Sequence, residues 1–124
     1  MSQVHMVAIV DDDEAIREAL SDLLMVEGFA CRTFDGASSF LAQYRRLAFD
    51  CLITDIRMPG MNGLELLQHL HSLGSSLPAI VLTSVIDEQS RGQSLALGAR
   101  AWLTKPVADN ALLGAINDAL GIGQ

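Results

Sequence analysis

The sequence predicts an α/β fold, a doubly wound parallel sheet of five strands with a helix after each. Three observations carry this expectation. Short apolar runs alternate with amphipathic stretches along the chain. Several of those runs are almost continuously apolar, as parallel strands covered on both faces are. Glycines also fall just past stretches of helical period, where a left-handed residue is wanted. Strict alternation of strand and helix then requires right-handed crossovers, which places helices on both faces of the sheet.

The expected strands are His5–Val10 (HMVAIV), Ala30–Phe34 (ACRTF), Cys51–Thr54 (CLIT), Ala79–Thr83 (AIVLT) and Ala101–Thr104 (AWLT). The second is the most polar, which suits an edge. Ile16, Ala19, Leu20, Leu23 and Leu24 form the apolar stripe of the first helix. A shorter helix over Ala37–Arg46 buries Phe40, Leu41 and Tyr44. Leu64, Leu67 and Leu70 line the third helix, opened by Asn62 and Glu65 as a capping box. The fifth carries Ala108, Ala111, Leu112, Ala115, Ile116, Ala119 and Leu120 at helical spacing. Gly28, Gly74, Gly98 and Gly121 end helices. The fourth helix, Asp87–Leu97, is the weak one: polar along its length, with Gly92 inside and little apolar stripe, it is expected to be mobile.

The chain has 124 residues, read as one domain spanning 1–124 with no linker or repeat. Half of them are hydrophobic and 19% are charged, so a core can form. Lys plus Arg total 8 against 15 Asp plus Glu, a formal charge of −7, which repels phosphate backbones and argues against direct nucleic-acid binding by this chain. The apolar runs are too short to span a bilayer, and Met1–Met6 lacks the features of a signal peptide. The expectation is a cytoplasmic domain with no membrane partner.

In such sheets ligands bind beyond the carboxyl ends of the strands. There the sequence places Asp11, Asp12 and Asp13, then Asp55, then Thr83 and Ser84, then Lys105, the sole lysine. Taken singly, each has an ordinary reading: an acidic run can cap a helix, an Asp can form a turn, a Thr suits a strand. Together they do not. Two unit charges about 4 Å apart repel by roughly 4 kcal/mol at an effective dielectric of 20, so neighbouring carboxylates call for a cation among them. Hard carboxylate oxygens without His or Cys point to Mg²⁺. A carboxylate beside Mg²⁺, a hydroxyl and an ammonium is equipped to accept a phosphoryl group: Asp55 attacks, Lys105 neutralises the moving charge and Thr83 donates a hydrogen bond.

At this point VAIVDDDE, DIRMPGMNGLELL, VLTS and GARAWLTKP, in that order, resemble the receiver domain of bacterial two-component response regulators, from about Val4 to Leu120. The resemblance implies a flavodoxin-like (βα)5 fold with strand order 2-1-3-4-5. Cys31 and Cys51 would then stand on strands separated by a third, roughly 9–10 Å apart, too far for a disulfide. It implies that Asp55 is the phosphoacceptor, phosphorylated by a sensor histidine kinase, with self-catalysed phosphorylation and dephosphorylation its only chemistry. Asp11, Asp12, Asp55 and the Arg57 backbone carbonyl would hold Mg²⁺. Thr83 and Lys105 would contact the phosphoryl group, and the Lys105–Pro106 bond would be cis. Pro59 and Gly60 fit a type II turn shaping the loop. The aromatic switch position, commonly Tyr or Phe, is Trp102 here, expected to turn inward as Thr83 is drawn to the phosphoryl group.

Gly36–Ser39 and PGMNGLELL are similar to FixJ-like receivers, which usually carry a helix-turn-helix output. The expected role is therefore control of transcription through a domain absent from this chain. The alternatives are a stand-alone phosphorelay receiver and a degenerate receiver acting by protein contacts alone. Phosphorylation is expected to favour a homodimer through the fourth helix, fifth strand and fifth helix. A flavodoxin-like cofactor binder would need a phosphate-cradling loop where DDDE stands, and a phosphohydrolase a second acid two residues beyond Asp55, where Arg57 stands.

Overall fold

The computed structural model describes residues 4–44 and 48–122. Strand and helix alternate throughout: β1 (Met6–Val10), α1 (Glu14–Val26), β2 (Ala30–Phe34), α2 (Ala37–Tyr44), β3 (Cys51–Thr54), α3 (Gly63–Ser72), β4 (Ala79–Thr83), α4 (Glu88–Ala96), β5 (Ala99–Thr104) and α5 (Asp109–Leu120). The strands pair in parallel in the order β2-β1-β3-β4-β5, the flavodoxin-like arrangement that the resemblance implied.

The apolar strand runs have a direct physical reason. Successive side chains on a strand point to opposite faces. Val7 and Ile9 of β1 join Leu20, Leu24, Leu112 and Ile116 beneath α1 and α5. Ala8 and Val10 join Phe40, Leu66, Leu67 and Leu70 beneath α2 and α3 on the other face. Both faces being covered, neither set can be polar. Phe34, Phe40 and Phe49 pack edge-on or tilted against one another at centroid separations of 5.4–6.0 Å, closing the end of the second layer.

The structure departs from the sequence expectation at the start of β5 and on the buried face of α3. β5 begins at Ala99 rather than Ala101, because Gly98, at φ +100°, turns directly out of α4 into the strand. A register shift lets Ala79 pair with Ala99 and Ile80 with Ala101, leaving the exposed Arg100 to interrupt the apolar pattern. In α3 the fully buried set is Leu66, Leu67 and Leu70, with Leu64 only partly covered. A helix lying on a sheet buries a broader face than a single stripe. Arg45 and Arg46, expected at the end of the second helix, lie outside the described residues.

Val7 pairs with Cys31 on one side and Cys51 on the other, so β1 separates the two thiols, and both are free. Burial pushes them up to about 11 and about 12, leaving them protonated and unreactive at neutral pH. Among the described residues no helix is long and apolar enough to cross a membrane.

Candidate functional site

The carboxyl ends of β1, β3 and β5 deliver Asp11, Asp55 and Lys105 to one rim. Asp11 and Asp55 are only 2% and 7% exposed, so their charge needs a partner. Lys105 supplies it: its Nζ donates to Asp11 Oδ2 at 2.8 Å and to Asp55 Oδ2 at 2.9 Å. Partial burial acts to discharge the ammonium, but the hydrogen bonds and negative charge of Asp11 and Asp55 prevail and hold its pKa above the usual lysine value. The backbone fixes the same junction, since the Lys105 N–H donates to the Thr83 carbonyl at 2.8 Å.

The acidic run after β1 divides its work. Asp13 caps α1, its Oδ1 accepting the N–H groups of Ala15 and Ile16. Asp11 turns inward, and its Oδ1 accepts the Asp13 N–H at 2.9 Å. Asp12 stays exposed, yet it offers an oxygen that lies, with oxygens of Asp11 and Asp55, in a group all within 4.8 Å of one another. Three carboxylates facing one ammonium leave an excess of negative charge. That donor set, all hard oxygen, fits a divalent cation of the magnesium type.

Asp55 is held from several sides. Its Oδ1 accepts the Ile56 N–H at 2.6 Å, its N–H donates to the Val10 carbonyl, and its own carbonyl accepts the Thr54 hydroxyl at 2.9 Å. Beyond it, Gly60 has φ +76°, as the third residue of a type II turn requires, and Pro59 precedes it. Arg57 is exposed in this loop, at the edge of a groove of about 590 Å³ that Asp12, Met58, Val85, Asp87 and Ser90 also line. The Ser90 hydroxyl, at 2.7 Å, holds the Asp87 carboxyl below its ordinary value.

Thr83 is fully buried at the end of β4, and its Oγ1 accepts the Val85 N–H at 3.2 Å. Among the described residues its hydroxyl makes no hydrogen bond to Asp55 or Lys105. Trp102 is half-buried on β5 and, like Val85 and Leu97, packs against the core layer beneath α2 and α3 rather than among the carboxylates. The Lys105–Pro106 peptide is cis. The structure thus brings Asp11, Asp12, Asp55 and Lys105 together, with Thr83 joined through backbone and Trp102 set apart.

Sequence reasoning missed three contributors. Arg17, one turn into α1, donates from Nη1 to the Asp11 carbonyl at 2.8 Å. Thr54 clamps the Asp55 carbonyl. Gly63, at the start of α3, donates its N–H to the Ile56 carbonyl at 2.8 Å. The glycine directly after the capping Asn62 was the available signal.

Comparison with known proteins agrees with this geometry. The family model of the response regulator receiver domain matches residues 7–117. The chain is 39% identical over 115 residues to the transcriptional regulatory protein FixJ of Azorhizobium caulinodans, covering 93% of this chain and 54% of that protein. It is 40% identical over 118 residues to the response regulator protein TmoT of Ectopseudomonas mendocina, covering 95% of this chain and 54% of that protein. The chain therefore spans about half the length of the curated relatives it matches. Among solved structures, that of FixJ-N superposes with a TM-score of 0.89 at 36% identity, covering 97% of this chain and 96% of that one. A CheY-like receiver domain protein from Methanospirillum hungatei gives 0.91 at 32% identity, covering 96% and 95%. With the family model matching residues 7–117 of the 124 and the fold reproduced, the chain belongs to the response regulator receiver domains.

Proposed function

We propose that this chain accepts a phosphoryl group onto Asp55 from a sensor histidine kinase and passes the signal on through a change in conformation. The observation that carries the reading is the Lys105 ammonium bridging Asp11 and Asp55 at 2.8 and 2.9 Å, beside a third carboxylate. A magnesium ion held by Asp11, Asp12, Asp55 and the Arg57 carbonyl would neutralise charge on the transferring phosphoryl group. The Asp55 carboxylate forms the new O–P bond as the donor's N–P bond breaks, and the donor imidazole leaves with the electron pair. Lys105 then shifts its hydrogen bonds toward the phosphoryl oxygens, and the Thr83 hydroxyl donates to one of them. No other substrate is turned over: the chemistry is the chain's own phosphorylation and its reversal.

An apolar groove of about 660 Å³ between α1 and α5, lined by Leu20, Leu23, Pro106, Val107 and Leu112, opens beside Lys105 and supports delivery by a protein donor. The conformational readout runs through Thr83, Trp102 and α4, and phosphorylation favours a homodimer through α4, β5 and α5. By similarity to FixJ, a transcriptional regulatory protein, the output is transcription, executed by a domain outside this chain, and the compartment of this reading is the cytoplasm. The excess of acid argues against contact with DNA by this domain itself.

Intact mass after incubation with acetyl phosphate tests the reading. One added phosphoryl group is expected on the wild type with Mg²⁺, and none on Asp55→Asn or with Mg²⁺ chelated. A folded, Mg²⁺-binding wild type that gains no mass from either acetyl phosphate or a phosphorylated kinase would contradict it and favour a receiver that acts by protein contacts alone.

A further inference from the structure

We propose that Gly63 is a positioning residue for Asp55, acting with the Thr54 hydroxyl on the Asp55–Ile56 peptide. The observation is spatial. A Cβ built at position 63 would overlap the Asp55 carbonyl oxygen outright and lie 2.9 Å from Ile56 Cα and 3.0 Å from the Asp55 carbonyl carbon. Every one of those atoms is backbone, so none can swing aside as a side chain would. Gly63 does not have a positive φ; it is needed there for space and not for conformation.

The absence of a side chain lets the first residue of α3 lie directly on the peptide that follows β3. From there the Gly63 N–H donates to the Ile56 carbonyl at 2.8 Å. On the other side, the buried Thr54 hydroxyl donates to the Asp55 carbonyl at 2.9 Å. The peptide between these two holds carries the Ile56 N–H, which donates to Asp55 Oδ1 at 2.6 Å and thereby turns Oδ2 to Lys105. Gly63 therefore sets the orientation of the carboxylate through the peptide plane. The capping box of Asn62 and Glu65 fixes the start of α3 in that place, with both of its hydrogen bonds at 2.8 Å. Burial of Leu66, Leu67 and Leu70 keeps the helix from backing away to make room for a methyl group.

The inference rests on the phosphoacceptor reading for its kinetic consequence, and its consequence for cation binding is independent of that reading. The test compares Gly63→Ala and Thr54→Val with Leu24→Ala, a core truncation at the far end of α1, each checked for folding by circular dichroism. Acetyl phosphate is the donor, and Mg²⁺ affinity is measured separately by calorimetry. Gly63→Ala is expected to slow phosphorylation about tenfold or more and to weaken Mg²⁺ binding by about the same factor. Thr54→Val is expected to move both in the same direction by a smaller factor. Leu24→Ala is expected to melt earlier with both quantities near wild type. A folded Gly63→Ala protein with wild-type rate and Mg²⁺ affinity overturns the proposal, as does a Leu24→Ala protein impaired as deeply. If Gly63→Ala does not fold, Thr54→Val decides, and wild-type values for it overturn the proposal. A wild type that takes up no phosphoryl group from acetyl phosphate or from a phosphorylated kinase, while Gly63→Ala still weakens Mg²⁺ binding, refutes the phosphoacceptor reading and supports this one.

Discussion

α3 and α4 lie on the same side of the strand order and could hardly be anchored more differently. α3 buries Leu66, Leu67, Leu70 and Gly63, opens with a complete capping box, and presses its first residue against the peptide after Asp55. α4 buries a single residue, Ser94, whose hydroxyl turns back to the Arg91 carbonyl. Its surface ion pair, Arg91 with Glu88 at 3.6 Å, is exposed and contributes little. One helix belongs to the frame of the site; the other rests beside it, capped by Asp87 at the edge of the groove that runs past Arg57. A chemical site needs its groups held to within fractions of an ångström, whereas a readout element needs two arrangements of similar free energy. On the proposed function, these requirements fall on separate helices.

Substitutions that probe packing separate the two most sharply. Leu66→Ala is expected to cost about 2–5 kcal/mol of unfolding free energy, as truncation of a fully buried leucine does. Leu95→Ala on α4, where the leucine is 37% exposed, is expected to cost less than about 1 kcal/mol. Denaturant titration checks both, and comparable losses would erase the contrast. A smaller effect sharpens it. Gly92 lies inside α4 with open space around it and an ordinary φ, so Gly92→Ala is expected to stabilise that helix by up to about 1 kcal/mol. Amide exchange within α4 would then slow about fivefold while that of α3 stays unchanged. The smallest signal is optical. Trp102, the sole tryptophan, is expected to change its emission when phosphorylation is confirmed by mass, and a constant spectrum would remove it from the readout.

The sequence made the frame legible and hid some of its joints. Alternating strands and helices, the Asn62–Glu65 cap and the residues at the strand ends could be read because each obeys a local rule. The start of β5 could not, because Arg100 sits at a register shift that breaks the apolar pattern. Leu66 was passed over because a stripe counted along one helix does not reveal how wide a face the sheet covers. Only the resemblance set Asp13 apart from Asp11 and Asp12, and the chain's turn into α1 supplies the reason, since one caps the helix and the others stand at the rim. Gly63 and Arg17 were passed over for a different reason: both act on backbone groups of other segments, Gly63 by yielding space and Arg17 by binding a carbonyl. Only the assembled fold brings those segments within reach.

The most direct test of the central claim locates the acceptor itself. Treating the phosphorylated protein with borohydride reduces an aspartyl phosphate to homoserine, which peptide mass spectrometry then places in the sequence. Homoserine is expected at position 55 and at no other aspartate, in amount matching the phosphoryl group added. Homoserine at position 11 or 12 instead, or a phosphoryl group borne on another type of side chain, would contradict the account.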